Sequence, residues 1–125
     1  MTVHEATLRI ADWASARDLD FRHDAGTGFG AVFSRCGAFR YLLWRLPHPR
    51  VRIVGIGLLN PSRADETADD PTIRQCRARG RQAGAAGLIV WNLFAFRATL
   101  PAELKRAADP VGPENDAAIR LALDL

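Results

Sequence analysis

Two stretches decide the fold: Val51-Arg52-Ile53-Val54-Gly55-Ile56-Gly57-Leu58-Leu59-Asn60 and Gly87-Leu88-Ile89-Val90-Trp91-Asn92. Both are short, apolar and rich in β-branched residues, with no helical period. The first reads as a strand buried on both faces, as in a parallel sheet. Gly55 and Gly57 let a neighbour pack closely on it. Between the two stretches, Asp69-Asp70-Pro71-Thr72 carries a helix start: an Asp to cap, a Pro fit for the first helical position, then Ile73 and Cys76 opening an apolar stripe. Strand, helix, strand is a crossover unit, for which a right-handed connection is expected.

Outward from this unit, residues 29–46 read as a β-hairpin. Phe29, Ala31 and Phe33 alternate, Cys36-Gly37 turns the chain, and Phe39, Tyr41 and Leu43 alternate against Arg40, Leu42 and Trp44. Residues 1–28 read as an N-terminal extension, with some helical character over Ala6 to Leu19 and no sharp caps. After Asn92 comes a long loop, Phe94 to Gly112, and then a last helix from Pro113-Glu114-Asn115-Asp116. The expected fold is one α/β domain over residues 29–125. In it an N-terminal β-hairpin joins a short, mostly parallel sheet flanked by helices, Rossmann-like in outline.

Composition agrees with a globular domain. Of 125 residues, 48% are hydrophobic and 25% charged, which sets aside disordered, collagen-like and disulfide-framework chains. No apolar run approaches the roughly 20 residues of a membrane helix, and no signal peptide opens the chain. A cytoplasmic protein with no membrane partner is expected. Cys36 and Cys76 lack metal spacing and read as small buried hydrophobes. Neither a metal nor a cofactor is expected.

Charge is uneven. Residues 1–34 carry three Arg against five acids, residues 35–81 ten Arg against four acids, and residues 82–125 four basic groups against five acids. A basic middle third suits a phosphate-bearing partner, a nucleotide or nucleic acid. The Arg- and Ala-rich usage of a GC-rich genome accounts for it equally well.

Asn60 and Asn92 each follow an apolar strand. Ligands of parallel sheets bind at strand C-termini, and an amide there can hold a water or read a base edge; the plainer reading is loop capping. The loop between Asn60 and Pro71 holds Ser62, Asp65, Glu66, Asp69 and Asp70, carboxylates suited to a general base or Mg²⁺. Helix capping explains Asp70 outright but not Asp65. Arg40, Arg45 and Arg97 are placed to grip anions bidentately or to make surface ion pairs. Arg74 belongs to the basic side of the helix that starts at Pro71.

Five stretches resemble the bacterial family called domain of unknown function 1643. They are Cys36 to Arg45, Leu59-Asn60-Pro61-Ser62-Arg63-Ala64-Asp65, Asp69 to Cys76, Asn92 to Thr99, and Asp109-Pro110-Val111-Gly112-Pro113-Glu114-Asn115-Asp116. A more remote resemblance is to the uracil-DNA glycosylase superfamily. The strand ending Leu59-Asn60-Pro61-Ser62 is similar to its first motif, whose Asn positions the attacking water, and Leu88 to Leu93 to its second recognition strand, whose Asn reads the base. The resemblance implies a nucleobase- or nucleotide-directed hydrolase, glycosylase-like. Asn60 orients water, Asp65 is a candidate base and Asn92 reads the base. Ser62, Asp70, Arg40, Arg74, Arg97 and Asn115 complete the substrate-binding set. That superfamily also needs a late His-containing loop and a stacking aromatic. The unknown-function family carries a further strand and a Pro-Arg-His-Pro-type segment. Neither follows here, so a C-terminally incomplete fold with an uncovered sheet edge open to self-association is expected. The alternatives are a non-catalytic nucleotide or nucleic-acid binding module, an inactive fragment, and a metal-dependent phosphoesterase built on Asp65, Asp69, Asp70 and Asp116.

Overall fold

The computed structural model describes residues 2–98 and 100–125, with Pro101 described for its backbone alone. The elements are α1 (Val3–Ala16), β1 (Asp20–Asp24), β2 (Phe29–Phe33), β3 (Arg40–Arg45), β4 (Ile53–Leu58), α2 (Pro71–Gln82), β5 (Gly87–Asn92), α3 (Pro101–Arg106) and α4 (Asn115–Asp124). Five strands form one sheet in the order β1-β2-β3-β5-β4. The fold is α/β, but the sheet is mixed rather than mostly parallel. Only β4 and β5, joined through α2, run parallel; β1–β2, β2–β3 and β3–β5 are antiparallel. The reason is connectivity. A parallel pair needs a long crossover, and the loops between β1, β2 and β3 are hairpin length.

Helices cover both faces. On one side Ile10 and Ala14 of α1 and Ala118 and Ala122 of α4 pack with Val32, Leu42, Trp44 and Ile89. On the other, Ile73 and Cys76 of α2 pack with Leu43, Leu88, Val90 and Ala64. The α2 start is as the sequence reads: Asp70 caps the Ile73 N–H, with Pro71 in the first turn.

Strand β4 corrects the expectation of burial on both faces. It is an edge strand, and none of its residues is fully buried. Val54, Ile56 and Leu58 pack toward α2. The opposite positions, Gly55 and Gly57, lie under the Trp91 ring; a Cβ on either would sit 2.7 Å from it. The run looks doubly buried in sequence because its exposed positions are glycines rather than polar residues.

Residues 1–28 do more than extend the domain. Helix α1 lies on the sheet, and Asp20–Asp24 supplies its outermost strand beside β2. The helix has a sharp N-terminus: Thr2 Oγ1 accepts from the Glu5 N–H at 3.1 Å, and Glu5 Oε2 accepts from the Thr2 N–H at 3.0 Å. This is a capping box, and its signal, Thr2-x-x-Glu5, is present in the sequence. The Phe94 to Gly112 stretch likewise contains α3. Cys36 is exposed rather than buried; Cys76 is buried.

One irregularity matters for the site. Val32 pairs with Leu42, yet Phe33 pairs with Arg40, so Tyr41 is an extra residue on β3. A bulge of one residue reverses the facing of everything beyond it. Tyr41 joins the α1/α4 core. Arg40 is brought to the α2 face, which it shares with Leu43 and Arg45, instead of alternating with them.

Candidate functional site

A cleft of about 900 Å³ opens where β4 and β5 end. Its walls are Leu58 to Arg63, the start of α2 (Asp70, Pro71, Thr72), the segment Phe96, Arg97 and Ala98, and the hairpin turn at Gly37 and Ala38. Four of the residues singled out in the sequence line it: Asn60, Ser62, Asp70 and Arg97. Arg63 and Phe96 line it too, unforeseen; only their neighbourhood to Ser62 and Arg97 pointed to them.

Asn60 ties together the segments that follow β4 and β5. Its Nδ2 donates to the Ala98 carbonyl at 2.9 Å. Because the partner is an acceptor, the NH₂ group must face Ala98, and the amide orientation is set. Among the described residues no donor reaches Asn60 Oδ1. Asp70 is committed: Oδ1 accepts from the Ile73 N–H at 2.9 Å and Oδ2 from the Arg63 N–H at 2.8 Å. Partial burial works against its charge. The Ser62 hydroxyl and the backbone N–H groups of Ile73, Arg63 and Ala64 outweigh it and hold its pKa below the ordinary carboxylate value. Arg97 donates to the Gly37 carbonyl at 3.2 Å, with its guanidinium over the Phe33 ring.

The other five candidates lie outside the cleft lining. Asp65 closes its own turn, Oδ1 accepting from the Thr67 N–H and hydroxyl and from the Ala68 N–H at 2.8–2.9 Å. Burial opposes its charge, but these donors and Arg45 lower its pKa, which makes it a weak base. Arg74 is exposed on α2 and donates to the Asp69 carbonyl at 3.3 Å. Asn115, at the start of α4, is fully buried and donates through Nδ2 to the carbonyls of Asn92 and Leu93 at 2.8 and 3.2 Å, bracing the end of β5. Asn92 is also fully buried, and neither atom of its amide has a partner. Asn60 and Asn92 therefore do not converge on the cleft.

Arg40 is fully buried behind the cleft wall. Its Nη1 donates to the Ala64 carbonyl at 2.8 Å and lies 3.4 Å from the Ser62 carbonyl and hydroxyl. Burial pushes its pKa down to about 10, against the attraction of Asp70, and leaves it charged at neutral pH.

Arg45 grips an anion of its own chain. Its Nε donates to Asp69 Oδ1 at 2.7 Å, and Arg77 donates to Oδ2 at 2.6 Å. Both guanidinium groups lie over the Phe29 ring, at 4.3 and 4.9 Å from its centre. This network pins the loop after β4 to the hairpin. Among the described residues no group of three His, Cys, Asp or Glu side chains is placed to hold a metal ion, so Asp65, Asp69, Asp70 and Asp116 are not assembled as a phosphoesterase centre. Among the same residues no helix is long and apolar enough to cross a membrane.

The architecture is thus an α/β protein with a mixed five-stranded sheet and a polar cleft at the ends of its one parallel pair. A family model described as "Protein of unknown function (DUF1643)" matches residues 40–124, and the chain belongs to that family. The match takes in the Asn60, Asp70, Asn92 and Asn115 stretches whole. No curated protein and no solved structure matches the chain.

Proposed function

We propose that the cleft binds a nucleobase-bearing ligand, a nucleotide or a nucleotide within a strand, and that a water held by Asn60 cleaves the bond between base and sugar. The observation that carries this reading is the Asn60 amide. Its NH₂ is spent on Ala98, which leaves Oδ1 as an oriented acceptor at the cleft wall. An amide oxygen can align a water but cannot take its proton at neutral pH. That is sufficient where the leaving group departs first and a neutral water captures an oxocarbenium-like carbon. It is insufficient for direct attack on a phosphoester. Phe96, Leu58 and Leu59 offer an apolar wall for a base, and Arg63 and Arg97 offer cations for phosphate. Arg74, exposed on α2, suits an adjoining phosphate of a strand. Base reading by Asn92 belongs to the same proposal and requires a rearrangement that exposes its amide, since the side chain has no exposure.

The test is release of free base from oligonucleotides carrying a single deoxyuridine or a mismatch. The expected result is release by the wild type and lower release, by about a hundredfold or more, by Asn60→Ala at unchanged fold. Equal release by both proteins would remove Asn60 from the chemistry.

One observation favours a second reading, a binding module without catalysis. Asp70 is the one carboxylate among the residues lining the cleft, and it is locked in a helix cap with a lowered pKa, so it is poorly fitted to act as a base. Salt-dependent binding of the same oligonucleotides with no product would favour this reading.

A further inference from the structure

Two arginines of β3 share a face and a depth and differ in one respect. Arg40 and Arg45 both have no exposure, and the Tyr41 bulge puts them on the same side of the sheet. Every nitrogen of Arg45 is engaged. Nε donates to Asp69, Nη1 to the Trp44 carbonyl at 3.0 Å, and Nη2 to the carbonyls of Asp65 and Ala68 at 2.6 and 3.1 Å. Arg40 engages only Nη1, while its Nε and Nη2 reach no acceptor.

Those two N–H groups are not an arbitrary remainder. Together they form the side of the guanidinium that meets two oxygens of one carboxylate or phosphate in parallel. Asp70 and Asp65 are near enough to favour the Arg40 charge, but neither bonds it. The oxygens of Asp70 are turned to the Ile73 and Arg63 N–H groups, and Asp65 Oδ1 to Thr67 and Ala68. A buried guanidinium left in this condition is strongly unfavourable unless something accepts from it. The topology also places Asn92, with its unpartnered amide, on the neighbouring strand β5.

We infer that Arg40 is an oxyanion site, its Nε and Nη2 donating to two oxygens of one phosphate or carboxylate group. The approach is from the cleft. Ser62 lines the cleft on one side and meets Arg40 Nη1 on the other, so a shift of the Pro61–Ala64 segment joins the two. The phosphate could be free, or could belong to a ligand already seated in the cleft.

The test follows the Arg40 Nε–H resonance and the melting temperature of the wild type during titration with inorganic phosphate, sodium formate, a nucleoside and the matching nucleoside monophosphate. The expected result is a saturable shift of that resonance and a rise in Tm with phosphate or formate. Saturation by the monophosphate at a concentration more than about tenfold lower than by phosphate identifies the cleft ligand as the source; equal concentrations identify free phosphate. Arg40→Lys keeps the charge but loses the parallel pair, and should weaken the response by more than about tenfold. Arg40→Met should abolish the response and, without anions, melt no lower than the wild type. An Nε–H resonance unmoved by phosphate and formate overturns the inference, as does a Tm response that survives in Arg40→Met. Asn60→Ala should leave the phosphate response intact while losing base release, so failure at one site is distinguishable from failure at the other.

Discussion

Asn92 pairs with Leu58, two residues short of Asn60, in the parallel register of β4 and β5. At about 3.3 Å per residue the two asparagines are staggered by about 6–7 Å along the strands. That stagger separates their fates. Asn92 ends an interior strand and is enclosed, with Asn115 bracing its carbonyl. Asn60 lies past the end of an edge strand and faces the cleft.

The Asn60–Ala98 bond is a cross-brace as well as an orienting contact. Asn60→Ala should cost about 1 kcal/mol of stability, read by urea denaturation. It should also lower base release by about a hundredfold or more, since a water misplaced by about 1 Å is enough for that loss. A loss of activity that scales only with lost folded protein would point to the brace alone.

The Arg45–Asp69–Arg77 network should dominate the stability of the loop after β4. Asp69→Asn leaves the Arg45 guanidinium buried beside a neutral amide, and a loss of about 3–5 kcal/mol is expected. Arg77→Ala should cost less, about 1 kcal/mol, because Arg45 still holds Asp69 and the Arg77 side chain is 22% exposed. Equal stability of Asp69→Asn and wild type in denaturant would contradict this.

Acid should destabilise the fold through the same loop. Burial raises the pKa values of Asp65, Asp69 and Asp70, but their hydrogen bonds, and for Asp65 and Asp69 the neighbouring arginines, bring all three below the ordinary value of 3.8. The unfolded chain therefore takes up protons first as pH falls. The stabilisation is complete above about pH 5 and is lost as pH drops through 3.8 and below. In Asp69→Asn the acid dependence should be shallower by the share of one carboxylate. A steeper dependence would contradict the assignment.

Gly30 is required by Trp44. A Cβ there would stand 2.1 Å from the indole ring, which is wholly buried. Gly30→Ala should cost about 1–3 kcal/mol or more and alter the near-ultraviolet circular dichroism. Gly37→Ala meets open space and is strained only by its φ of +76°, so about 1 kcal/mol is expected.

Much of this fold is legible in the sequence where local chemistry decides it. The hairpin of β2 and β3 follows from alternation, the Asp70-Pro71 start of α2 from capping, the strand at residues 87–92 from its apolar run, and the last helix from its apolar spacing and first-turn acid. The position of β4 at the sheet edge does not, because glycine at exposed positions imitates burial. The Tyr41 bulge has no local signature, and without it Arg40 reads as facing away from Arg45. For the site, the Asn60 loop is legible as a strand-end loop. The burial of Asn92 depends on the register between β4 and β5, a tertiary fact. Asp65 and Asp70 are both committed to backbone N–H groups for a common reason: short acidic side chains after a strand satisfy nearby backbone donors readily.

The most direct test of the central claim, that the cleft at Asn60 receives a nucleobase-bearing ligand, is a titration of ¹⁵N-labelled protein with deoxyuridine monophosphate, followed by NMR. The account predicts saturable shifts at the Asn60 side-chain amide and at the backbone amides of Ser62, Phe96 and Arg97, with α1 and β1 unmoved. Shifts confined to other surfaces, or none at saturating ligand, would contradict it.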